Sequence, residues 1–276
     1  MDPEPTTLTR PTPQSSTIER WARDYILADS WEAKLAPPPV PSGFGDETIE
    51  PPARPGRGAS FAVASHGEKS TGKSALKSAE RRARLVHTFL HHELQAAELM
   101  AWAILRFADA PPALRRGILG VLGDEVRHMN LYAGYLRARG YRPGSFPVRD
   151  WFWERLPACP DVVSFLATMG LGLEGANLDH ASRFAERFRE AGDEEGGALE
   201  ELIAREEVSH VRFALTWFAR LSPRVARGEP LFDAWRASLP PPLSPILMRG
   251  EPLSRALRER AGLDAAFVDA LARYKP

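Results

Sequence analysis

Two five-residue stretches concentrate the reactive side chains of this chain: Asp124-Glu125-Val126-Arg127-His128 and Glu206-Glu207-Val208-Ser209-His210. Each contains Glu-x-x-His with a second acid directly before the Glu. Residues three apart on a helix share a face, so each stretch aims one carboxylate and one imidazole at a common point. A further Glu precedes each at nearly the same distance: Glu93 lies 32 residues before Glu125, and Glu174 lies 33 before Glu207. The pattern is an internal repeat of two helical hairpins. Four carboxylates and two imidazoles delivered by four helices form the donor set of a carboxylate-bridged di-iron or di-manganese site.

The elements that must position these groups are four long helices, expected at about 75–108, 113–139, 161–191 and from the Gly192-Asp193 break to about 221. The first carries Glu93 among Val86, Phe89, Leu90, Ala97, Met100 and Ile104. The second carries Glu125 and His128 among Ile118, Val121, Leu122, Met129 and Tyr132. The third carries Glu174 among Leu166, Leu171, Asn177 and Leu178, and the fourth carries Glu207 and His210 among Ile203, Ala204, Val211 and Phe218. Each Glu sits in an otherwise apolar stripe free of Lys and Arg. A buried unpaired carboxylate costs several kcal/mol, so four at matching heights need a counter-charge. Two divalent cations supply it. Carboxylate and imidazole donors without thiolate suit two iron ions, with manganese as the alternative, better than structural zinc. One Glu from each hairpin is expected to bridge the pair.

Other polar residues have plainer readings. Asp124 and Glu206 point away from the motif Glu beside them and serve either to orient a ligand imidazole or as surface ion pairs. Glu98 and Asp179 each follow the first Glu of their hairpin by five residues, about 140° round the helix, and read as polar partners at the bundle edge. His87, His91, Gln95 and Glu98 form a polar stripe expected to be exposed or interfacial. Tyr132 lies one turn beyond His128 on the inward face. It is a core residue with a satisfied hydroxyl or a donor near the centre. Gly170, Gly172 and Gly175 surround Glu174, and each mid-helix glycine costs about 1 kcal/mol relative to alanine. Together they suggest a loosened turn, a π-bulge, room for a substrate, or close helix packing.

The 276 residues suffice for one large domain or two small ones. Formal net charge is zero, with 36 basic and 36 acidic side chains. Nucleic acid or an anionic membrane is therefore not favoured as the main partner. Cys159 is the single cysteine, which excludes an intramolecular disulfide. No signal-peptide core and no run of 18 apolar residues are evident, so a cytoplasmic location without membrane span is expected. Residues 1–15 read as disordered and 17–35 as an amphipathic helix. A Pro-rich stretch to Gly58 reads as an extended arm over the main body. Residues 67–74, Gly-Glu-Lys-Ser-Thr-Gly-Lys-Ser, match the phosphate-binding P-loop pattern. Such a loop works at the edge of a parallel sheet, and everything after it is helical in pattern. The plainer reading is a polar loop in which Ser74 caps the next helix, with a nucleotide switch through Lys73 as the rival. The Pro-rich connection 141–160 is long enough to cross the bundle. Beyond 221, short helices at 229–238 and 254–273 flank Pro240-Pro241-Pro242. The expected organisation is thus an arm (1–74), a helical bundle (75–221) and a C-terminal helical extension (222–276). Its class is all-α, a ferritin-like four-helix bundle with a crossover between the second and third helices.

The segments His91-His92-Glu93-Leu94-Gln95-Ala96-Ala97-Glu98, Asp124 to His128, Gly172 to Asp179 and Glu206 to Val211 resemble a bacterial ferritin-like family of undefined function. That family is similar to the di-iron tRNA hydroxylases. The likeness extends to Trp151-Phe152-Trp153-Glu154-Arg155 and to Pro240-Pro241-Pro242-Leu243-Ser244-Pro245. It implies a ferritin-like four-helix fold with iron ligands at Glu93, Glu125, His128, Glu174, Glu207 and His210, and it supplies no substrate. The functional expectation is an oxidoreductase that uses dioxygen to hydroxylate or oxidise a small organic molecule. Iron handling, by ferroxidase or peroxide-scavenging chemistry, and a metal-stabilised scaffold are the alternatives. Expected partners are a small-molecule substrate and dioxygen, with a homodimer compatible with the sequence.

Overall fold

The computed structural model describes residues 17–64, 76 and 78–275. The disordered start expected for 1–15 and the P-loop-like stretch 67–74 lie outside them. Among the described residues the regular secondary structure is helical, apart from one isolated parallel bridge between Val63 and Val148.

Helix α3 (Ala79–Arg106) starts where the Ser78 side chain accepts a hydrogen bond from Arg81 N, a few residues later than expected. A short turn before Pro112 returns the chain as α4 (Pro112–Arg137), which packs along α3. The single third helix of the sequence reading is divided. A turn of α-helix, α5 (Val162–Phe165), runs into a nine-residue π-helix (Leu166–Glu174), and α6 (Gly175–Glu190) follows without a break. The close approach of α7 (Glu194–Leu221) explains part of this widening. A Cβ at Gly170 would sit 2.2 Å from Ala214 Cβ. A widened turn leaves carbonyls to be satisfied from outside. The buried indole of Trp235 donates to the Ala167 carbonyl at 2.8 Å. Helix α7 packs against the π-helix and α6, and also against α4 of the first hairpin.

The chain on either side of these hairpins shares their hydrophobic core, which extends from Ile18 to Leu271. The N-terminal helix expected over 17–35 is two helices, α1 (Ile18–Leu27) and α2 (Trp31–Leu35). The break is imposed by the extended segment beside it: Gly56 N donates to Ile26 O, and Gly58 N to Asp29 O. A Cβ at Gly56 would lie 2.2 Å from the Leu27 carbonyl oxygen, so only glycine fits this approach. Ser30 restarts the helix by capping Ala33 N. The C-terminal residues form α8 (Pro223–Ala226), α9 (Leu231–Arg236), α10 (Arg255–Arg260) and α11 (Ala265–Arg273), shorter and more numerous than expected. No helix among the described residues is long and apolar enough to cross a membrane.

Two buried ion pairs fasten these outer segments. Glu98 of α3 is fully buried, not at an edge. It receives Arg57 Nη1 at 2.6 Å, Arg57 Nη2 at 2.8 Å, Lys34 Nζ at 2.8 Å and the Trp153 indole at 2.8 Å. Burial opposes its charge, but Lys34 and then Arg57 outweigh burial and hold its pKa below the usual range. Arg57 also reaches Asp150 at 2.9 Å, and Asp150 receives His91 Nε2 at 3.0 Å. The stripe of His87, His91, Gln95 and Glu98 is therefore a buried interface with the arm and the 141–160 connection. Gly144 N donates to His87 Nε2, and Phe152 N to Gln95 Oε1. On α6 Asp179 plays the matching part. It accepts from Gly250 N, Ser254 N, Arg258 Nε and Arg258 Nη2 at 2.7–3.2 Å.

Replacing Glu98 by Gln leaves Lys34 buried without a counter-charge and Arg57 with Asp150 alone. Breaking a buried pair this way costs about 3–5 kcal/mol, so Tm is expected to fall by roughly 10 °C in a calorimetric melt. Asp150 supplies a pH signature. Burial raises its pKa, but the His91 and Arg57 contacts outweigh burial and hold it at about 2. A carboxyl depressed in the folded state contributes its full stability above its unfolded value of about 4 and loses it as pH falls towards 2. Acid titration followed by tryptophan fluorescence is expected to show this loss in that window, and Asp150→Asn to flatten it.

Candidate metal centre

Glu93, Glu125, His128, Glu174, Glu207 and His210 are all buried, and the hairpin packing brings them to one place between α3, α4, the π-helix and α7. Their donor atoms form two quartets, each with every atom within 4.8 Å of the others. One comprises Glu93, Glu125, His128 and Glu207; the other comprises Glu125, Glu174, Glu207 and His210. Glu125 and Glu207, one from each hairpin, belong to both.

The hydrogen bonds around the two imidazoles determine which ring nitrogen faces the cluster. His128 Nε2 lies 2.9 Å from Glu206 Oε2, and His210 Nε2 lies 3.2 Å from Asp124 Oδ2. Asp124 and Glu206 titrate below the usual carboxylate range. For Asp124 the His210 hydrogen bond leads; for Glu206 burial opposes the shift, and Arg127 and His128 outweigh it. An ionised carboxylate only accepts, so Nε2 must carry the proton in both rings. The Nδ1 atoms then turn inward. His210 Nδ1 lies 3.0 Å from both Glu125 Oε1 and Glu207 Oε2, and His128 Nδ1 lies 3.4 Å from Glu125 Oε2. In a neutral imidazole this nitrogen is a lone pair facing carboxylate lone pairs, an arrangement that requires a proton or a cation in between.

Both oxygens of Glu125, one oxygen of Glu174 and Nδ1 of His128 are buried without a hydrogen bond. Burial, and then the charge of Glu125, push the Glu93 carboxyl well above its ordinary range; burial, and then Glu207 and Glu125, do the same to Glu174. For His210 burial favours the neutral ring, but Glu207 and Glu125 outweigh it and raise its pKa strongly. Without cations the cluster thus gathers protons on both acids and imidazoles. Two like charges about 4 Å apart repel by ~4 kcal/mol at an effective dielectric of ~20, and divalent cations relieve several such pairs at once. The inward lone pairs, the orphaned oxygens and the oxygen–nitrogen donor set all fit a pair of metal ions.

Asp124 and Glu206 perform both roles considered for them. Each acid orients the imidazole of the other hairpin, and Arg127 joins them at the rim, 3.3 Å from Asp124 and 2.8 Å from Glu206. Such carboxylate–imidazole contacts set ring orientation and donor strength. Asn177 Nδ2 donates to Glu207 Oε1 at 3.2 Å. Tyr132 is buried on one side of the cluster, and its hydroxyl hydrogen-bonds Glu200. Burial raises Glu200 to about 8, against the opposing Tyr132 hydrogen bond. Sequence reasoning missed Glu200, although it stands seven residues before Glu207 and so on the same helical face. Of the lone histidines, His92 stacks on Phe152 with ring centroids 5.1 Å apart, and His180 Nδ1 lies 3.0 Å from Arg183.

The family model described as protein of unknown function, DUF455, matches residues 14–269. An uncharacterized protein of Haemophilus influenzae is 27% identical over 164 residues, covering 56% of this chain and 57% of that relative. The match thus spans little more than half of the relative's length. No solved structure matches the chain.

Glu206→Gln presents an amide in place of the carboxylate that holds the His128 proton. It is expected to weaken metal binding about 10- to 100-fold by calorimetric titration, with the circular dichroism spectrum unchanged. Asp124→Asn is expected to do the same through His210.

Proposed function

The chain belongs to the DUF455 family of proteins of unknown function, and we propose that it is a di-metal, in first place di-iron, oxidoreductase. In this reading the two hairpins form a ferritin-like four-helix bundle, and dioxygen serves to oxidise or hydroxylate a small organic molecule. The observation that carries the reading is the pair of overlapping quartets sharing Glu125 and Glu207.

Glu125 and Glu207, common to both quartets, would help to hold both ions. Glu93 with His128 would complete one coordination sphere, and Glu174 with His210 the other. A bound pair of redox-active ions would supply the electrons that reduce dioxygen. The protein's own groups do the rest. Asp124 and Glu206 keep Nε2 protonated, so that each Nδ1 stays a free donor. The apolar stripes exclude bulk water and thereby strengthen each interaction inside the cluster. Tyr132 and Glu200 place an exchangeable proton beside the centre without adding a charge, since Glu200 is held neutral at pH 7.

The outer segments favour an oxidase over iron storage. Arm and extension are locked against the hairpins by the Glu98 and Asp179 ion pairs, an enclosure that serves a bounded reaction site.

Loading the purified protein anaerobically with ferrous iron is expected to give two ions per chain. Admitting air is expected to produce a near-ultraviolet absorption band that reduction removes. His128→Ala combined with His210→Ala is expected to lose the stoichiometry, the band and dioxygen consumption together. A hollow multi-subunit particle that fills with iron on size-exclusion chromatography is the result that selects iron storage. A protein that takes up no transition metal sinks both readings.

A further inference from the structure

Beyond Glu174, helix α6 carries a set of half-buried side chains that the metal centre does not use: His180, Arg183, Phe184 and Arg187. Their spacing of three, four and seven residues puts them on one face of the helix. That face meets α3 at Phe89, whose ring centroid lies 5.0 Å from that of Phe184. Phe89 stands one turn before Glu93, and its ring lies 6.0 Å from that of Tyr132. The guanidinium carbons of Arg183 and Arg187 both flank the Phe184 ring, 5.1 and 5.8 Å from its centroid.

Neither cation is neutralised. Arg183 gives Nη1 to the Glu251 carbonyl and Nη2 to His180 Nδ1, each at 3.0 Å, so both of its acceptors are uncharged. Its Nε is buried without any partner. Asp179 offsets part of the Arg183 charge, but its oxygens are taken by Gly250 N, Ser254 N and Arg258. The Glu251 carboxylate turns instead to Arg249, 3.7 Å away. Among the described residues no carboxylate stands within ion-pair distance of Arg183 or Arg187. Burial, and then the charge of Arg187, hold Arg183 below the ordinary guanidinium range. A cation partly removed from water calls for a counter-charge, just as a buried carboxylate does. His180 adds a third donor. An arginine only donates, so Nδ1 is the lone pair and the neutral ring carries its proton at Nε2.

We propose that Arg183, Arg187 and His180 bind the carboxylate or phosphate of a small organic anion, whose apolar body lies against Phe184 and Phe89. That this anion is the substrate rests on the oxidase reading above. A metal cation is repelled by the two guanidinium groups. A polyanion such as nucleic acid needs a longer basic track, and the chain as a whole carries no net charge. A neutral apolar molecule would cover the rings but leave both cations unpaired. An organic anion satisfies the rings and the cations together. The site lies at the Tyr132 end of the bundle, since Phe89 links the Phe184 ring to the Tyr132 ring.

Calorimetric titration of the metal-free full chain with benzoate tests the site. Benzoate presents a carboxylate on a flat apolar body. Benzamide keeps the body without the charge, and inorganic phosphate keeps the charge without the body. Benzoate is expected to bind at least about tenfold more tightly than either. Arg183→Gln and Arg187→Gln are each expected to weaken benzoate about 10- to 100-fold, the worth of a charge-assisted hydrogen bond. Arg187→Gln removes only a ring contact from the fold, so it decides the matter should Arg183→Gln fail to fold. No benzoate binding, equal binding of benzamide, or an affinity untouched by Arg187→Gln overturns the anion site. Phosphate bound as tightly as benzoate overturns the part given to the rings. Benzoate bound by a protein that, loaded with iron, consumes no dioxygen overturns the oxidase reading and the substrate assignment with it, while the anion site stands.

Discussion

The structure depends on one electrostatic conflict, in which imidazole lone pairs and carboxylate oxygens face one another inside a hydrocarbon core. His210 Nδ1 stands 3.0 Å from two carboxylates, and both oxygens of Glu125 lack a hydrogen bond. Burial, reinforced by the neighbouring carboxylates, favours the neutral form of Glu93 and Glu174. For His210 the balance runs the other way: burial favours the neutral ring, but Glu207 and Glu125 outweigh it and favour a second ring proton. Positive charge is thus favoured at this place, as protons or as a metal ion that the clustered groups could hold.

The repeat visible in the acid and histidine positions extends further outward than the cluster. Glu98 and Asp179 each follow the first Glu of their hairpin by five residues, and both are buried and bound to arginine. Their partners come from opposite ends of the chain, Arg57 from the arm and Arg258 from the extension. The arm and the extension are thus held by equivalent positions of the two hairpins. Arg258 also spans from Asp179 to the Met248 carbonyl, close to the π-helix that carries Glu174. A widened helix would otherwise be the least restrained of the elements around the centre.

The helical class and the four long segments were legible because their apolar residues recur at helical spacing. The six residues that converge were legible because each appears in a duplicated context, which a solitary Glu-x-x-His lacks. Other features were hidden for identifiable reasons. Glu98 and Asp179 are charged residues off the inward stripe, and nothing local announces an arginine 41 or 79 residues away in sequence. Glu200 lies within a run of acids near the start of α7, where its neighbours are solvated. The division of the third helix was suggested by its glycines, but the length of the π-segment depends on Ala214 and Trp235, both distant in sequence. The break between α1 and α2 likewise depends on Gly56 and Gly58 drawing up to its carbonyls.

The exchange of acids between the hairpins makes the two halves of the molecule inseparable. Asp124 serves an imidazole 86 residues later, and Glu206 serves one 78 residues earlier. Neither hairpin contains its own cluster histidine, His128 or His210, together with the acid at that ring's Nε2. A substitution in one copy of the repeat is therefore read out in the other, and the two copies can change only as a pair.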